Sequence, residues 1–439
     1  MIKLLVLLAM LPVSLVFADE IENPAAAKPA FVSNQPTDPA GYQSGYGQIA
    51  EFGGPDGVSE QLKEADRSGE PTFEWEAPGR WLKPWYDWKT KIKKDNGIAL
   101  GVFASVLAQK ASDSNTDEDD ALGGIYRFQG SWTLLNNGGR NPGRIEWRVE
   151  NRSNIGSFQA PGTLGSAVGA SALNTGFGYS EKFKTDLAVI NWTQGFRDST
   201  TGIAVGRLAF DVYLDAFAFQ TFSGGFLNRS FLVNPTLGTT GIGALGAVGK
   251  GMITDQLWIG AQIYDGNAAS GEWDWDTVQE NEYLKALEIG WTPSFARRKL
   301  DKIQFTYWDK DARDLAGVSS GHGWAVSASW QVGEKWLPFV RFGDSNGGAG
   351  VAAEQALSGG FQYTVRADQK WVLGVGWAKP SEKTNGVKLD DEYVIETSYN
   401  FQLAKNFALL PDLQLVIDPA KNPNKSTVWV AGLRAILTF

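Results

Sequence analysis

The sequence predicts an all-β protein: a transmembrane antiparallel β-barrel of about 16 strands, preceded by an N-terminal periplasmic arm and a short helix. Three observations carry this. From residue 97 onward apolar and polar residues alternate with the period of two that gives a strand two unlike faces. The alternating segments run about 9–12 residues, the length that crosses a hydrocarbon layer at a tilt. The chain opens on an export signal and contains 0 Cys in 439 residues, so it can travel unfolded without disulfide traps. A soluble sandwich alternates too. Here, however, aromatic residues crowd the apolar faces near strand ends, as membrane-interface girdles do. Lipid offers no water to an open sheet edge, so such a sheet must close.

Composition excludes other classes. Asp and Glu number 49 against 40 Lys and Arg, a formal charge of −9, which argues against a nucleic-acid partner. With 0 Cys and 1 His there is no Cys nucleophile and no Cys or multi-His metal site. No cofactor is expected, and no enzymatic activity. The mean hydropathy of −0.22 resembles that of a water-soluble chain, but the average hides the alternation.

Residues 1–18 read as a secretory signal: Lys3, a short apolar run from Leu4 to Phe17, and a cleavage site at Val16-Phe17-Ala18. Residues 19–72 are Pro/Ala-rich and read as a periplasmic linker, with a cell-wall tethering role left open. Residues 73–96 are Trp-rich. Trp81, Trp85 and Trp88 recur at helical spacing, which predicts an amphipathic helix over 83–95 with Pro84 in its first turn. Its basic end (Lys89, Lys91, Lys93, Lys94) suits a membrane surface; packing on the next domain is an equal alternative.

The domain 97–439 carries the strands. Pattern alone finds them at 97–108, 124–135, 143–152, 184–195, 201–210, 254–264, 284–292, 302–309, 322–332, 336–344, 355–365, 371–379, 391–402, 406–417 and 427–439. Short links, such as 136–142 and 403–405, are expected on the periplasmic side; long ones, such as 153–183, outside. Counted from either end, strands 201–210 and 254–264 both run outward. Antiparallel neighbours cannot, so an inward strand must hide between 211 and 253, and the Gly-rich piece 240–250 is the best candidate. The count becomes even, and a barrel of about 16 strands encloses a water-filled lumen.

Two motifs are decoys. Gly241 to Gly246 matches G-x-G-x-x-G, but the predicted strand there leaves no helix to hold a nucleotide. Gly317 to Gly321 matches G-x-S-x-G beside His322, but it precedes a strand, and a sequence neighbour is poorly placed as the base of a triad. His322 is read as an exposed loop residue.

Chemistry is expected on the polar faces. Arg127, Glu146, Arg148, Glu150, Arg207, Glu288, Arg341 and Glu396 should line the lumen, where Arg and carboxylate rows offer paired donors and acceptors to hydroxyl-rich solutes. Trp308, on a polar face, is a candidate for stacking on a sugar. The stretch 211–239, with Asp211 and Asp215, is external by topology and long enough to fold inward and narrow the pore.

The segments VGRLAFDVYLDAFAFQTFSGGFLNRSFLVNPT (205–236) and DEYVIETSYNFQL…LLPDLQLVIDPAKNPNKSTVWVAGLRAILTF (390–439) resemble the carbohydrate-selective outer-membrane porins of the OprB type. Pro411-Asp412-Leu413-Gln414, Asp418-Pro419 and Gly432-Leu433-Arg434 carry the likeness. The resemblance implies a sixteen-stranded barrel, a constricted lumen with Arg and acidic residues, and passive passage of monosaccharides; other small hydrophilic solutes, such as organic acids or amino acids, are the alternative. The surroundings would be outer-membrane lipid and the barrel assembly machinery, which would read the terminal strand ending at Phe439. Homo-oligomerisation stays open.

Overall fold

The computed structural model describes residues 52–66, 76–180, 185–273, 275–366 and 368–439. The expected signal segment lies outside them, as does most of the expected linker. Sixteen antiparallel strands form one closed ring. They are β1 (Ile98–Ala111), β2 (Asp120–Leu135), β3 (Gly143–Asn154), β4 (Asp186–Phe196), β5 (Thr201–Leu208), β6 (Ala244–Met252), β7 (Leu257–Asp265) and β8 (Tyr283–Trp291). Then follow β9 (Lys302–Lys310), β10 (Gly321–Ser329), β11 (Trp336–Ser345), β12 (Ala353–Arg366), β13 (Gln369–Pro380), β14 (Glu392–Ala404), β15 (Phe407–Ile417) and β16 (Thr427–Thr438).

Each strand pairs with its sequence neighbours, and β1 pairs with β16 in the register Phe103↔Thr438 to Ala111↔Val430. The last residue seals that seam: the Phe439 N–H donates to the Val102 carbonyl (2.9 Å), and the Val102 N–H donates back (3.0 Å). No ladder is left open, as a lipid environment requires.

The inferred inward strand exists. It is β6, beginning at Ala244 rather than at 240. The expected strand 201–210 stops at Leu208, because Phe210–Tyr213 turn into a short helix that leaves the wall. β1 and β2 extend farther outward than the pattern suggested. Gly241–Gly246 leads into β6, and Gly317–Gly321 into β10, so neither motif meets the helix its chemistry needs. His322 sits on β10 rather than in the loop, exposed at its outer end.

The faces are inverted relative to a soluble protein. Leu287, Ile289, Ile303 and Phe305 point out and are exposed; between them Glu288, Gln304 and Thr306 point in and are buried. Near the ends where the short turns lie, Trp336, Phe361, Tyr363 and Trp371 touch ring to ring at 4.7–5.1 Å, a girdle segment at one interface.

The arm is more than a linker. Residues 52–66 enter the lumen and end in helix α1 (Val58–Asp66). Val58, Leu62 and Ala65 recur at helical spacing, and burying that stripe against β1 to β3 overrides the polar composition around it. Helix α2 spans Glu76–Asn96, longer than 83–95, so Pro84 lies inside it rather than in its first turn. Lys89 and Lys93 of α2 reach Asp66 at 3.0 and 3.2 Å, tying α2 to α1 at the short-turn mouth.

An outward apolar face fixes a consequence. Placing a cation at Leu287, the middle residue of β8 and outward-facing, should cost about 2–4 kcal/mol near the bilayer midplane. We expect Leu287→Arg to lower the folded fraction in vesicles, measured by urea titration, while Leu287→Ile leaves it unchanged.

Candidate pore constriction

Two external connections and the arm converge inside the ring. The β5–β6 connection (209–243) carries α3 (Phe210–Tyr213) and α4 (Arg229–Leu232) and is buried over most of its length. Its phenylalanines build an apolar core inside the barrel: Phe217, Phe219, Phe226 and Phe231 pack on Phe339 of β11 at ring distances of 4.9–6.2 Å. An apolar loop needs cover from water, and the lumen is where this one finds it.

Wall charges hold this inserted chain by its backbone. The Glu396 carboxylate accepts from the N–H groups of Leu227 (2.5 Å) and Asn228 (3.0 Å). Glu288 accepts from the Asp215 N–H at 2.6 Å and pairs with Lys250. Lys250 donates to the Tyr213 carbonyl at 2.5 Å, Lys310 to that of Thr239 at 2.7 Å, and Arg434 to that of Phe222 at 3.2 Å. Glu392 does the same for the β3–β4 connection, accepting from Ser171, Ala172 and Leu173 at 2.5–2.9 Å. Buried backbone groups need partners, and here wall side chains supply them.

A denser cluster faces the arm. On β3, Arg144, Glu146, Arg148, Glu150 and Arg152 alternate on the inward face, and all are buried. Arg127 joins from β2, opposite Glu150 in the ladder. Asp56 arrives on the arm. Its two carboxylate oxygens accept from Arg127 Nη1 and Nη2 at 2.8 and 2.9 Å, a bidentate pair. Arg148 lies 3.5 Å from the same carboxylate and also donates to the Asp56 backbone carbonyl. Ser59 donates to Glu146 at 2.5 Å. The arm meets the external segment in mid-lumen, where the Gly54 N–H donates to the Val212 carbonyl at 2.6 Å.

All eleven residues read from the sequence as pore-lining face inward and are buried. They do not form one site. Arg127, Glu146, Arg148 and Glu150 share the cluster around the arm. Asp211 lies near it; burial, with the Asp56 charge close by, pushes its carboxyl up to about 6. Asp215 and Arg341 pair at 2.5 Å on the far wall, with Ser327 and Gln304 also on Asp215. Arg207 pairs with Asp186 and donates to the Gly243 carbonyl. Glu288 and Glu396 anchor backbone. Trp308 departs from the sugar-stacking expectation: it faces inward but is fully covered, packed where a side chain at Gly238 would strike its ring at 2.6 Å. Inserted chain has taken the place a solute would need.

The sequence reading passed over Asp56, Ser59, Arg144 and Arg152. The last two were legible in the alternation of residues 144–152. Asp56 was signalled only by the weak stripe at Val58, Leu62 and Ala65.

Residues 302–439, covering β9 to the end of the chain, match the family model described as carbohydrate-selective porin, OprB family. Over this part the chain is similar to that family, and its fold is a closed sixteen-strand barrel. Its ring superposes on the high-pH structure of Pseudomonas putida OprB with a TM-score of 0.66 and 15% identity, over 81% of this chain and 97% of that one. In sequence it is 23% identical over 377 residues to Porin AaxA of Chlamydia felis (strain Fe/C-56), covering 78% of each chain. Over 278 residues it is also 23% identical to Porin AaxA of Chlamydia abortus (strain DSM 27085 / S26/3), covering 58% of each. The C-terminal likeness at 390–439 falls within the family match; the likeness at 205–236 lies outside it.

At the short-turn mouth Glu60 of α1 pairs with Lys299 at 2.6 Å and Lys63 at 3.1 Å. Burial alone would raise the Glu60 carboxyl, but the two ammonium groups outweigh it and hold it at about 2, below its ordinary 4.5. A depressed carboxylate stabilises the folded arrangement above its ordinary value, and that contribution is lost as pH falls through the depressed one. The protection of the Leu62 and Ala65 amides, meaning exchange measured against the intrinsic rate at each pH, should therefore fall as pH falls from about 4.5 toward 2. In Glu60→Gln this pH-dependent loss of protection should be absent.

Proposed function

We propose that this protein is an outer-membrane porin through which small carbohydrates, monosaccharides in the first place, diffuse passively and with moderate selectivity. The observation that carries the reading is the closed sixteen-strand ring with an apolar outer face and an inward row of charged and amide side chains. A ring of this size encloses an aqueous path wherever inserted chain leaves room. The family match over residues 302–439 supports the carbohydrate class. On this reading residues 1–18 are removed near Ala18, the barrel sits in the outer membrane, and Phe439 at the sealed seam serves assembly rather than transport. The inward charges orient hydroxyl groups and set ion preference.

One observation favours a second reading, small organic acids or amino acids. The Arg127, Arg144, Arg148 and Arg152 guanidiniums outnumber the Glu146 and Glu150 carboxylates on the same wall, and a surplus of buried Arg favours carboxylate-bearing solutes.

Liposome swelling with the reconstituted full chain separates the readings. Glucose should enter at least as fast as a neutral amino acid or a monocarboxylate of matched size; exclusion of glucose with entry of the acid would replace the first reading by the second. Selectivity has a separate handle. Arg127→Ala with Arg148→Ala leaves Asp56 without its guanidinium partners and Glu150 with Arg152 alone, so the reversal potential in a KCl gradient should shift toward cations. Breaking buried pairs costs roughly 3–5 kcal/mol, so the variant must first be shown to migrate as a folded barrel.

A further inference from the structure

The Asp56 carboxylate is a foreign group in the wall it touches. The wall supplies Arg127, Arg144, Arg148 and Arg152 against Glu146 and Glu150. The missing negative charge comes from inserted chain: Asp56 on the arm and Asp211 on the β5–β6 connection. Asp56 fills its place as a free carboxylate would, with both oxygens on the Arg127 fork and Arg148 alongside. Arg144 Nη1, also buried, has no hydrogen-bond partner among the described residues, so the wall keeps unused donor capacity. The segment that delivers Asp56 is short, enters from the mouth and leaves by it. Its other polar ties include the Gly54 N–H to the Val212 carbonyl, Gln61 to Thr221 and Ser223, Ser59 to Glu146, Glu60 to Lys299, and Asp66 to Lys89 and Lys93.

We propose that Arg127 and Arg148 form a binding site for small carboxylate-bearing solutes, occupied in this structure by the Asp56 side chain, which such a solute displaces to release segment 52–66 from the lumen. This rests on reading the barrel as a solute channel and adds a solute class and a gate to it. Exchange of one carboxylate for another conserves the buried charge balance. A neutral sugar cannot do that: it would leave Arg148 without its paired carboxylate and Arg127 with Glu150 alone. The site therefore discriminates by charge, even where the passage beyond it admits neutral solutes.

The chain holds 0 Cys, so a single introduced thiol reports on the arm alone. Val58 and Ser59 are both buried, and Val58→Cys keeps the Ser59–Glu146 bond intact. The experiment labels Val58→Cys in the full chain, reconstituted in liposomes, with a small water-soluble maleimide. The bath contains sodium gluconate, sodium chloride of equal ionic strength, or glucose. Labelling should be slow in chloride and in glucose and about tenfold faster in gluconate, equivalent to ~1.4 kcal/mol of displacement. Adding Asp56→Asn should make labelling fast in every bath and abolish the gluconate effect. Equal rates in gluconate and chloride overturn the proposal, as does a gluconate effect that survives Asp56→Asn. If Asp56→Asn fails to migrate as a folded barrel, the gluconate-to-chloride comparison in the Val58→Cys protein decides alone. Glucose-driven swelling of the same liposomes tests the channel reading separately: swelling with gluconate-insensitive labelling keeps the porin and removes the site.

Discussion

A closed ring of sixteen strands holds its own walls but not the chain inside it. Everything in the lumen depends on wall side chains that satisfy the backbone of inserted segments. Glu288, Glu392 and Glu396 accept from N–H groups; Lys250, Lys310 and Arg434 donate to carbonyls. Irregular chain is otherwise unstable at membrane depth, because unsatisfied amides there cost several kcal/mol each. The same charges that a sequence reader assigns to a solute are thus structural first. What remains for solutes is set by where inserted chain can yield.

That constraint separates two kinds of inserted chain. The β5–β6 connection carries Phe217, Phe219, Phe226 and Phe231, which form a packed core with Phe339. Removing it would expose that apolar surface to the lumen, so it behaves as part of the wall. Segment 52–66 buries Phe52 against Met252 and Trp258 and a stripe of Val58, Leu62 and Ala65 against the wall, and is held otherwise by ion pairs and single hydrogen bonds. The first is built to stay; the second depends on charge balance, which solutes and protons can alter.

Much of this was legible in the sequence because the strand period is short and strict. Alternation at 124–134 and 144–152 dictates which residues face inward, and the direction conflict between β5 and β7 by itself requires β6. Facing was readable because it is a property of one strand. Burial was not, because it depends on what distant chain lies on top. Trp308 illustrates this: its parity is right, but Gly238, far along the chain, covers it. Asp56 illustrates the reverse case, a functional group in a stretch whose Pro and Gly content reads as linker and whose helical stripe spans barely two turns.

The seam between β1 and β16 carries an implication for biogenesis. The first strand finds its second neighbour only in the last one, and the closing hydrogen bonds use Phe439 itself. A fragment that lacks β16 has no finished sheet: β1 and β15 each keep an open edge. Segment 52–66, though synthesised before any strand, reaches its Arg127 and Arg148 partners only once β2 and β3 stand side by side. The order of synthesis and the order of assembly therefore run against each other, and the chain must be kept apart from its own edges until both ends are present.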